Sequence, residues 1–187
     1  MTANSGSSPT SPRRPVRRLF HEAGLAIVRS QFSGNDLIQL SGFDDHMRGF
    51  NGNDRMYGRD GSDLLQGDRG KDKLFGGADN DTLKGGAGND IVPGGKGRDK
   101  EFGVKGEDTF IFETGDDRSI IRDFDAKGGA HDVLDLSGLT SIRNWSDLKN
   151  NHLVGDGTDV VIDAGEGDII VLQNVSLNSL DRGDFVF

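Results

Sequence analysis

The chain has no cysteine, a single tryptophan, a single tyrosine and only 4 prolines in 187 residues. Without thiols there are no disulfides, no zinc–thiolate centre and no cysteine nucleophile. Aromatic residues amount to 7%, and no apolar run approaches the roughly 18 residues that signal a membrane span. The N-terminus has arginines but only Leu25–Val28 as an apolar stretch, too short for the hydrophobic part of a cleaved secretory signal. An exported form is therefore expected to leave by another route. Basic residues are in the minority, with 22 Lys and Arg against 31 Asp and Glu for a net charge of −9. Residues 1–30 run against that balance, with Arg13, Arg14, Arg17, Arg18 and Arg29 facing only Glu22. Residues 31–111 hold 15 acids and 11 bases, and residues 112–187 hold 15 acids and 6 bases. A surface of that sign argues against nucleic acid as the main partner and for cations.

Glycine is what the chain has in excess: 29 of 187 residues, about twice the usual ~7% and without the period of collagen. Little hydrocarbon and much glycine leave burial alone too weak to offset the ordering entropy. The glycines are periodic. Rows of nine beginning at Gln31, Leu40, Gly49, Gly58, Gly67, Gly76, Gly85, Gly94 and Gly103 keep register without an insertion. Position six is aspartate in every row: Asp36, Asp45, Asp54, Asp63, Asp72, Asp81, Asp90, Asp99 and Asp108. Position four reads Gly34, Phe43, Gly52, Gly61, Gly70, Asp79, Gly88, Gly97 and Gly106. Position eight is apolar (Ile38, Met47, Met56, Leu65, Leu74, Leu83, Val92, Phe110) except at Glu101.

Glycines at positions one and four suit a turn that visits left-handed φ and brings its carbonyls inward. A lone apolar residue between polar ones reads as a short strand with one side chain pointing in. Two rows then make one coil of turn, strand, turn, strand. The fold class is all-β: a parallel β-roll with two nonapeptide rows per coil and a β-rich C-terminal cap. Stacking coils ~4.8 Å apart lines up Asp36, Asp54, Asp72, Asp90 and Asp108 on one edge and Asp45, Asp63, Asp81 and Asp99 on the other. Carboxylates at that spacing repel unless a hard cation lies between them. Oxygen ligands from carboxylates and backbone carbonyls in flexible geometry are what Ca²⁺ prefers; Mg²⁺ wants a stricter octahedron, and zinc would want His or Cys. Four gaps on one edge and three on the other set a ceiling of seven ions. The expected ligands are the nine aspartates with the turn glycines Gly49, Gly52, Gly58, Gly61, Gly67, Gly70, Gly76, Gly85, Gly88, Gly94 and Gly97. Gln31, Leu40, Phe43 and Asp79 depart from the pattern, so their rows are expected to hold calcium less well.

These rows resemble the RTX (repeats-in-toxin) nonapeptide G-G-x-G-x-D-x-U-x. Gly85-Gly86-Ala87-Gly88-Asn89-Asp90-Ile91-Val92-Pro93 matches every fixed position, and the resemblance is strong over 31–111. It implies a calcium shared by the turn aspartate and turn carbonyls of rows i and i+2. Residues 112–187, with Asp108–Phe112, Ile120–Asp125 and Asp132–Leu139 as their pattern, are similar to the caps of serralysin-type and epimerase-type RTX proteins. In them the sequence predicts strands at Thr109–Phe112, Ser119–Phe124 and Val133–Leu136, a capped helical turn over Ser146–Asn150, and a hairpin of Val160–Asp163 with Ile169–Leu172. The last residues, Asp184-Phe185-Val186-Phe187, are similar to the tip of type I secretion substrates and also suit an edge strand. The resemblance thus implies a bacterial protein secreted to the extracellular space by a type I apparatus.

No catalytic centre is expected. His21-Glu22 lacks a second His four residues on, no Gly-x-Ser-x-Gly elbow occurs, and the rows absorb most carboxylates. A second function, of another class, is binding of an anionic polysaccharide such as alginate, as an accessory module similar to the R-modules of mannuronan C5-epimerases. Arg55, Tyr57, Lys73 and Phe75 on one face, and His46, Arg48, Lys84, Lys100 and Phe102 on the other, would supply charge and rings. Residues 1–18 read as a disordered basic tail. Residues 19–30 read as a linker, a basic contact or an N-terminal cap, and Leu19, Phe20, Leu25, Ile27 and Val28 favour the cap.

Overall fold

The computed structural model describes residues 34–127 and 131–187; the expected tail (1–18) and N-terminal cap (19–30) lie outside them. The nonapeptide rows wind into a parallel stack of short strands whose polar, glycine-rich turns form the two edges. One sheet is built from β1 (Leu37–Gln39), β3 (Arg55–Arg59), β5 (Lys73–Ala78), β7 (Ile91–Pro93), β9 (Thr109–Glu113), β11 (Val133–Gly138) and β15 (Phe185–Val186). The other runs through β2 (His46–Arg48), β4 (Leu64–Arg69), β6 (Thr82–Ala87), β8 (Gly95–Lys105), β10 (Asp117–Ile121) and β14 (Asp168–Leu172). All of these pair in parallel, and in the rows each residue faces its counterpart 18 positions on, as Met56 faces Leu74 and Leu65 faces Leu83. The parallel β-roll of two rows per coil is thus what the chain adopts.

Position eight explains the core. Ile38, Met56, Leu74, Val92, Phe110 and Leu134 line the inner side of the first sheet, and Met47, Leu65, Leu83 and Ile121 that of the second; all are buried. One apolar side chain per row suffices because the two columns meet across a narrow interior. Positions seven and nine are half-exposed or exposed in strands β1 to β7, as the alternation of a strand requires. The strands are longer than expected: β4, β5 and β6 carry six residues each and run into the next turn.

The turns need glycine for reasons that differ from the expectation. Left-handed backbone falls at positions two and four, not one and four. Position two is left-handed even where it is Phe50, Arg59, Asp68 or Val104, so those rows carry strain at a non-glycine residue. Position one is glycine because there is no room for a side chain. A Cβ on Gly49 would collide with Asp54 Oδ2 and with the Gly67 carbonyl oxygen of the next coil.

The cap departs from the nine-residue period but continues both sheets. After β14 the second sheet turns antiparallel through β13 (Asp159–Gly165) to β12 (Leu153–Asp156), which is the expected hairpin. The expected helical turn is Trp145–Asp147, extended by a π-helical turn over Leu148–His152. Its cap is Asn144, whose side chain accepts from the Asp147 N–H. At the C-terminus Phe185 is buried, and β15 pairs in parallel with Leu134–Asp135 of β11, so the chain end is an edge strand. Among the described residues no helix is long and apolar enough to cross a membrane.

Candidate metal centre

The aspartate ladder is built one bond at a time along each edge. On the first edge the N–H of Asp36 donates to Asp54 Oδ1 at 2.8 Å, Asp54 to Asp72 at 2.7 Å, Asp72 to Asp90 at 2.8 Å and Asp90 to Asp108 at 2.8 Å. On the second edge Asp45 donates to Asp63 at 2.8 Å, Asp63 to Asp81 at 2.8 Å and Asp81 to Asp99 at 2.9 Å. Each Oδ1 is thereby satisfied by the backbone of the coil before it. The other oxygen is not. Oδ2 of Asp36, Asp54, Asp63, Asp72, Asp81, Asp90 and Asp99 is buried and has no hydrogen-bond partner.

Six of those seven atoms, all but that of Asp36, sit where a position-one glycine has made room. Asp54, Asp63, Asp72 and Asp81 Oδ2 occupy the Cβ space of Gly49, Gly58, Gly67 and Gly76 respectively. In the same space lies the carbonyl oxygen of the position-one glycine one coil on: Gly67, Gly76, Gly85 and Gly94. Asp90 and Asp108 Oδ2 stand likewise over Gly85 and Gly103. An unpartnered carboxylate oxygen converging with a backbone carbonyl is an all-oxygen, hard donor set, and it fits Ca²⁺. Among the described residues no three His, Cys, Asp or Glu side chains gather around one point. Backbone oxygens must therefore supply part of any coordination sphere. Gly52, Gly61, Gly70, Gly88 and Gly97 at position four are left-handed, and a Cβ on any of them would strike the backbone of the coil before.

Without a cation the ladder is held near neutrality. Burial, reinforced by neighbouring carboxylates and opposed by the donated N–H groups, pushes Asp54, Asp63, Asp90 and Asp99 up to about 7 and Asp81 to about 8. Asp72 and Asp108 are raised for the same leading reason. A buried carboxylate with no counter-charge prefers to be protonated; a divalent ion removes that preference.

Asp45 differs from the other eight. Its Oδ2 accepts from the Ser41 N–H at 2.9 Å and from the Ser41 hydroxyl at 2.7 Å. This is the row where leucine replaces the first glycine, and serine takes the oxygen that elsewhere has no partner.

Three features escaped the sequence reading. Position five carries a second ladder running the other way, in which Asn35, Asp44, Asn53 and Asn80 Oδ1 accept the N–H of Asn53, Ser62, Lys71 and Arg98 at 2.8 Å. The recurrence of Asn at position five was the available signal. Asp132 extends the first edge as a sixth rung, but its spacing from Asp108 is 24 residues and breaks the period. Asp123 and Asp168 close the cap in a similar way, each accepting two backbone N–H groups.

The expected rings Tyr57, Phe75 and Phe102 stay on the outer face, where they pair with neighbouring side chains, as does Phe50, which was not among them. Tyr57 and Phe75 stack at 4.6 Å and 7°, Arg48 lies over Phe50 at 5.1 Å, and Lys84 lies over Phe102 at 5.2 Å. His46 is exposed on the second face, and His152 Nδ1 pairs with the Asp163 carbonyl at 2.7 Å.

Residues 31–65 and 66–101 match the model of the RTX calcium-binding nonapeptide repeat, a unit of 4 copies. No curated protein sequence matches the chain. The extracellular lipase LipA from Serratia marcescens matches in structure with a TM-score of 0.46 and 18% identity, over 87% of this chain and 42% of the lipase. The chain thus spans less than half of that protein's length. The AlgE6R3 subunit of the Azotobacter vinelandii mannuronan C5-epimerase matches with a TM-score of 0.38 and 22% identity, over 89% of this chain and 86% of that subunit.

Proposed function

We propose that this chain, whose residues 31–101 are RTX calcium-binding nonapeptide repeats, is a non-catalytic extracellular module that calcium folds after secretion. The observation that carries the reading is the set of seven buried, partnerless Asp Oδ2 atoms on two edges. Asp36, Asp54, Asp72 and Asp90 would hold ions on the first edge, and Asp63, Asp81 and Asp99 on the second. Asp54, Asp63, Asp72 and Asp81 would each act with the position-one carbonyl of the next coil. Asp45 drops out, because Ser41 satisfies it. The ceiling stays at seven, but one site moves from the 45/63 gap to the end of the roll.

Calcium supplies the positive charge that lets these carboxylates be buried while ionised. The protein supplies spacing, room over the position-one glycines and an N–H for the other oxygen of each aspartate. Extracellular modules bind calcium near ~10⁻⁴ M. At ~1 mM calcium each such site stabilises the fold by about 1.4 kcal/mol, so seven sum to about 10 kcal/mol, comparable to the stability of a small domain. Where calcium is scarce that term vanishes and the chain stays open, the form a type I apparatus would carry across the bacterial envelope. The test is a calcium titration of the full chain from chelator to ~10 mM, followed by far-UV circular dichroism with magnesium as control. A cooperative gain of β signal with calcium alone is expected. A β signal already complete in chelator would overturn the reading.

A second reading, capture of an anionic polysaccharide, rests on one observation. A concavity of about 620 Å³ on the second sheet is lined by Arg48, Arg69, Lys84 and Lys105 against a single acid, Asp68. On a chain of net charge −9 this is a local excess of positive charge. The neighbouring rings are already occupied, so capture would be electrostatic. Retention on immobilised alginate should then vanish at high salt; retention that ignores salt, or none at any salt, would remove the reading.

A further inference from the structure

Glu101 is the one position-eight residue that is not apolar, and it is buried to 1% exposure inside the roll. A leucine there would pack without cost, whereas a carboxylate in an apolar interior is expensive unless something compensates it. The ion pairs among the described residues, Arg48–Asp68 and Arg143–Asp147, do not involve it. Its Oε1 accepts from the Ser119 hydroxyl.

What its carboxylate faces follows from where the repeat ends. Over Gly49, Gly58, Gly67 and Gly76, the aspartate Oδ2 of the row is joined by the carbonyl oxygen of the position-one glycine 18 residues on. At Gly94 that partner is missing. The residue 18 positions on is Phe112, which lies in β9 of the opposite sheet. The second sheet resumes out of phase with β10, so that Ser119 rather than an aspartate faces Asp99. In place of the missing carbonyl stands Glu101: a Cβ on Gly94 would lie 2.6 Å from Asp99 Oδ2 and 2.6 Å from Glu101 Oε1. Asp99 Oδ2 is buried and partnerless, with the residue at 0% exposure. The backbone of Asp116 and Asp117 lies against Gly97 on the same turn, which brings two further acidic residues to this end of the roll.

We propose that Glu101 and Asp99 together hold a divalent cation at the junction of roll and cap, Glu101 Oε1 replacing the carbonyl ligand that the absent next repeat would have supplied. The donor set is two carboxylates, with the Ser119 hydroxyl at hand and no nitrogen or sulfur, which selects calcium over zinc. The break in the apolar column and the end of the stack are then one event. The last ion of the second edge has no following coil, and the residue that would have been core supplies the oxygen instead.

This inference rests on the reading of the chain as a calcium-binding module, and the experiment separates the two. Calcium bound per chain is counted by isothermal titration calorimetry and equilibrium dialysis on the full chain, for wild type, Glu101→Gln, Glu101→Leu and the core control Met47→Leu. Both Glu101 variants are expected to bind one ion fewer than wild type, with Met47→Leu unchanged. The calcium dependence of the thermal midpoint should become shallower only in the Glu101 variants. Glu101→Leu restores the apolar column, so it decides the matter if Glu101→Gln does not fold. A full count of ions in Glu101→Leu, with the midpoint raised equally in calcium and in chelator, would overturn the proposal and leave Glu101 a buried acid sharing a proton with Asp99. Wild type binding no calcium would overturn the module reading itself, and this site with it.

Discussion

The N–H of Asp108 donates to Asp132 Oδ1 at 3.0 Å across 24 residues, the bond that elsewhere on this edge spans 18. Asp132 also accepts the Asp125 N–H on its other oxygen at 2.9 Å. The last rung therefore has N–H donors on both oxygens, where the rungs above it have a donor on one and room for an ion at the other. The cap ends the ladder with a backbone amide on the oxygen that Asp36, Asp54, Asp72 and Asp90 leave without a partner.

Removing that end should loosen the join between roll and cap. Asp132→Ala leaves the buried Asp108 N–H and the part-buried Asp125 N–H without acceptors, at about 1–3 kcal/mol for a fully buried group. Urea unfolding in saturating calcium is expected to show a loss on the order of 2–4 kcal/mol with the number of bound ions unchanged. A loss under about 0.5 kcal/mol would mean that water readily replaces Asp132.

Two glycine substitutions separate space from backbone strain. Gly67→Ala places a methyl where Asp72 Oδ2 and the Gly85 carbonyl oxygen converge. It is expected to remove at least one bound ion as well as stability. Gly115 is left-handed at φ +90 with nothing within 4 Å of an added Cβ. Gly115→Ala should cost only the strain of left-handed backbone, roughly 1–2 kcal/mol, and leave the ion count alone. Equal ion counts in the two variants would contradict the idea that position one is glycine to admit the carboxylate.

Much of this architecture was legible in the sequence because the nine-residue period is unbroken from Gln31 to Ile111. The aspartate column, the apolar column and the two-row coil follow from that period alone, and Leu65 over Leu83 is where it says. The reason for glycine at position one was not legible, since spacing cannot tell a left-handed turn from a space filled by Asp54 Oδ2. Asp132 and Ser119 were missed because insertions put them out of phase, although the sheets carry on through them. Ser41 disarming Asp45 required seeing which side of the turn its hydroxyl faces. Residues that obey the repeat are readable from the repeat; those that end it are placed by tertiary register.

The acidity of the buried carboxylates sets a pH dependence opposite to that of an ordinary salt-bridged protein. Asp54, Asp63, Asp90 and Asp99 at about 7 and Asp81 at about 8 stand above the ~3.9 of an unfolded aspartate. Between those values the folded, calcium-free chain holds more protons than the unfolded one, so its stability falls as pH rises. The contribution is complete below about pH 4 and gone once pH passes the folded values. In chelator, β signal should therefore be greater at pH 5 than at pH 8. With saturating calcium the loss at pH 8 should disappear, and binding at pH 7 should release protons, read by calorimetry in buffers of different ionisation enthalpy. Chelator spectra identical at both pH values would show that the carboxylates are not what opens the calcium-free roll.

Trp145, the only tryptophan, reports on whether the cap waits for the roll. Its ring stacks on Phe185 at 5.5 Å and 29°, and Phe185 belongs to the strand that pairs with β11. That strand pairs in turn with β9, the last row of the repeat. In the second sheet β10 lies between β8 and β14, so an open roll would leave the cap with an unpaired edge on each sheet. The cap brings many apolar residues of its own to the core it shares with the roll, including Leu136, Ile142, Leu148, Ile162 and Leu172, and contact among them pulls the other way. Two exposed edges and the lost Asp108–Asp132 bond outweigh it, because strands without neighbours are marginal in water. Trp145 fluorescence and far-UV circular dichroism should therefore share one midpoint in a calcium titration. A native Trp145 signal in chelator, ahead of any gain in β structure, would make the cap an independent unit on which the roll is built.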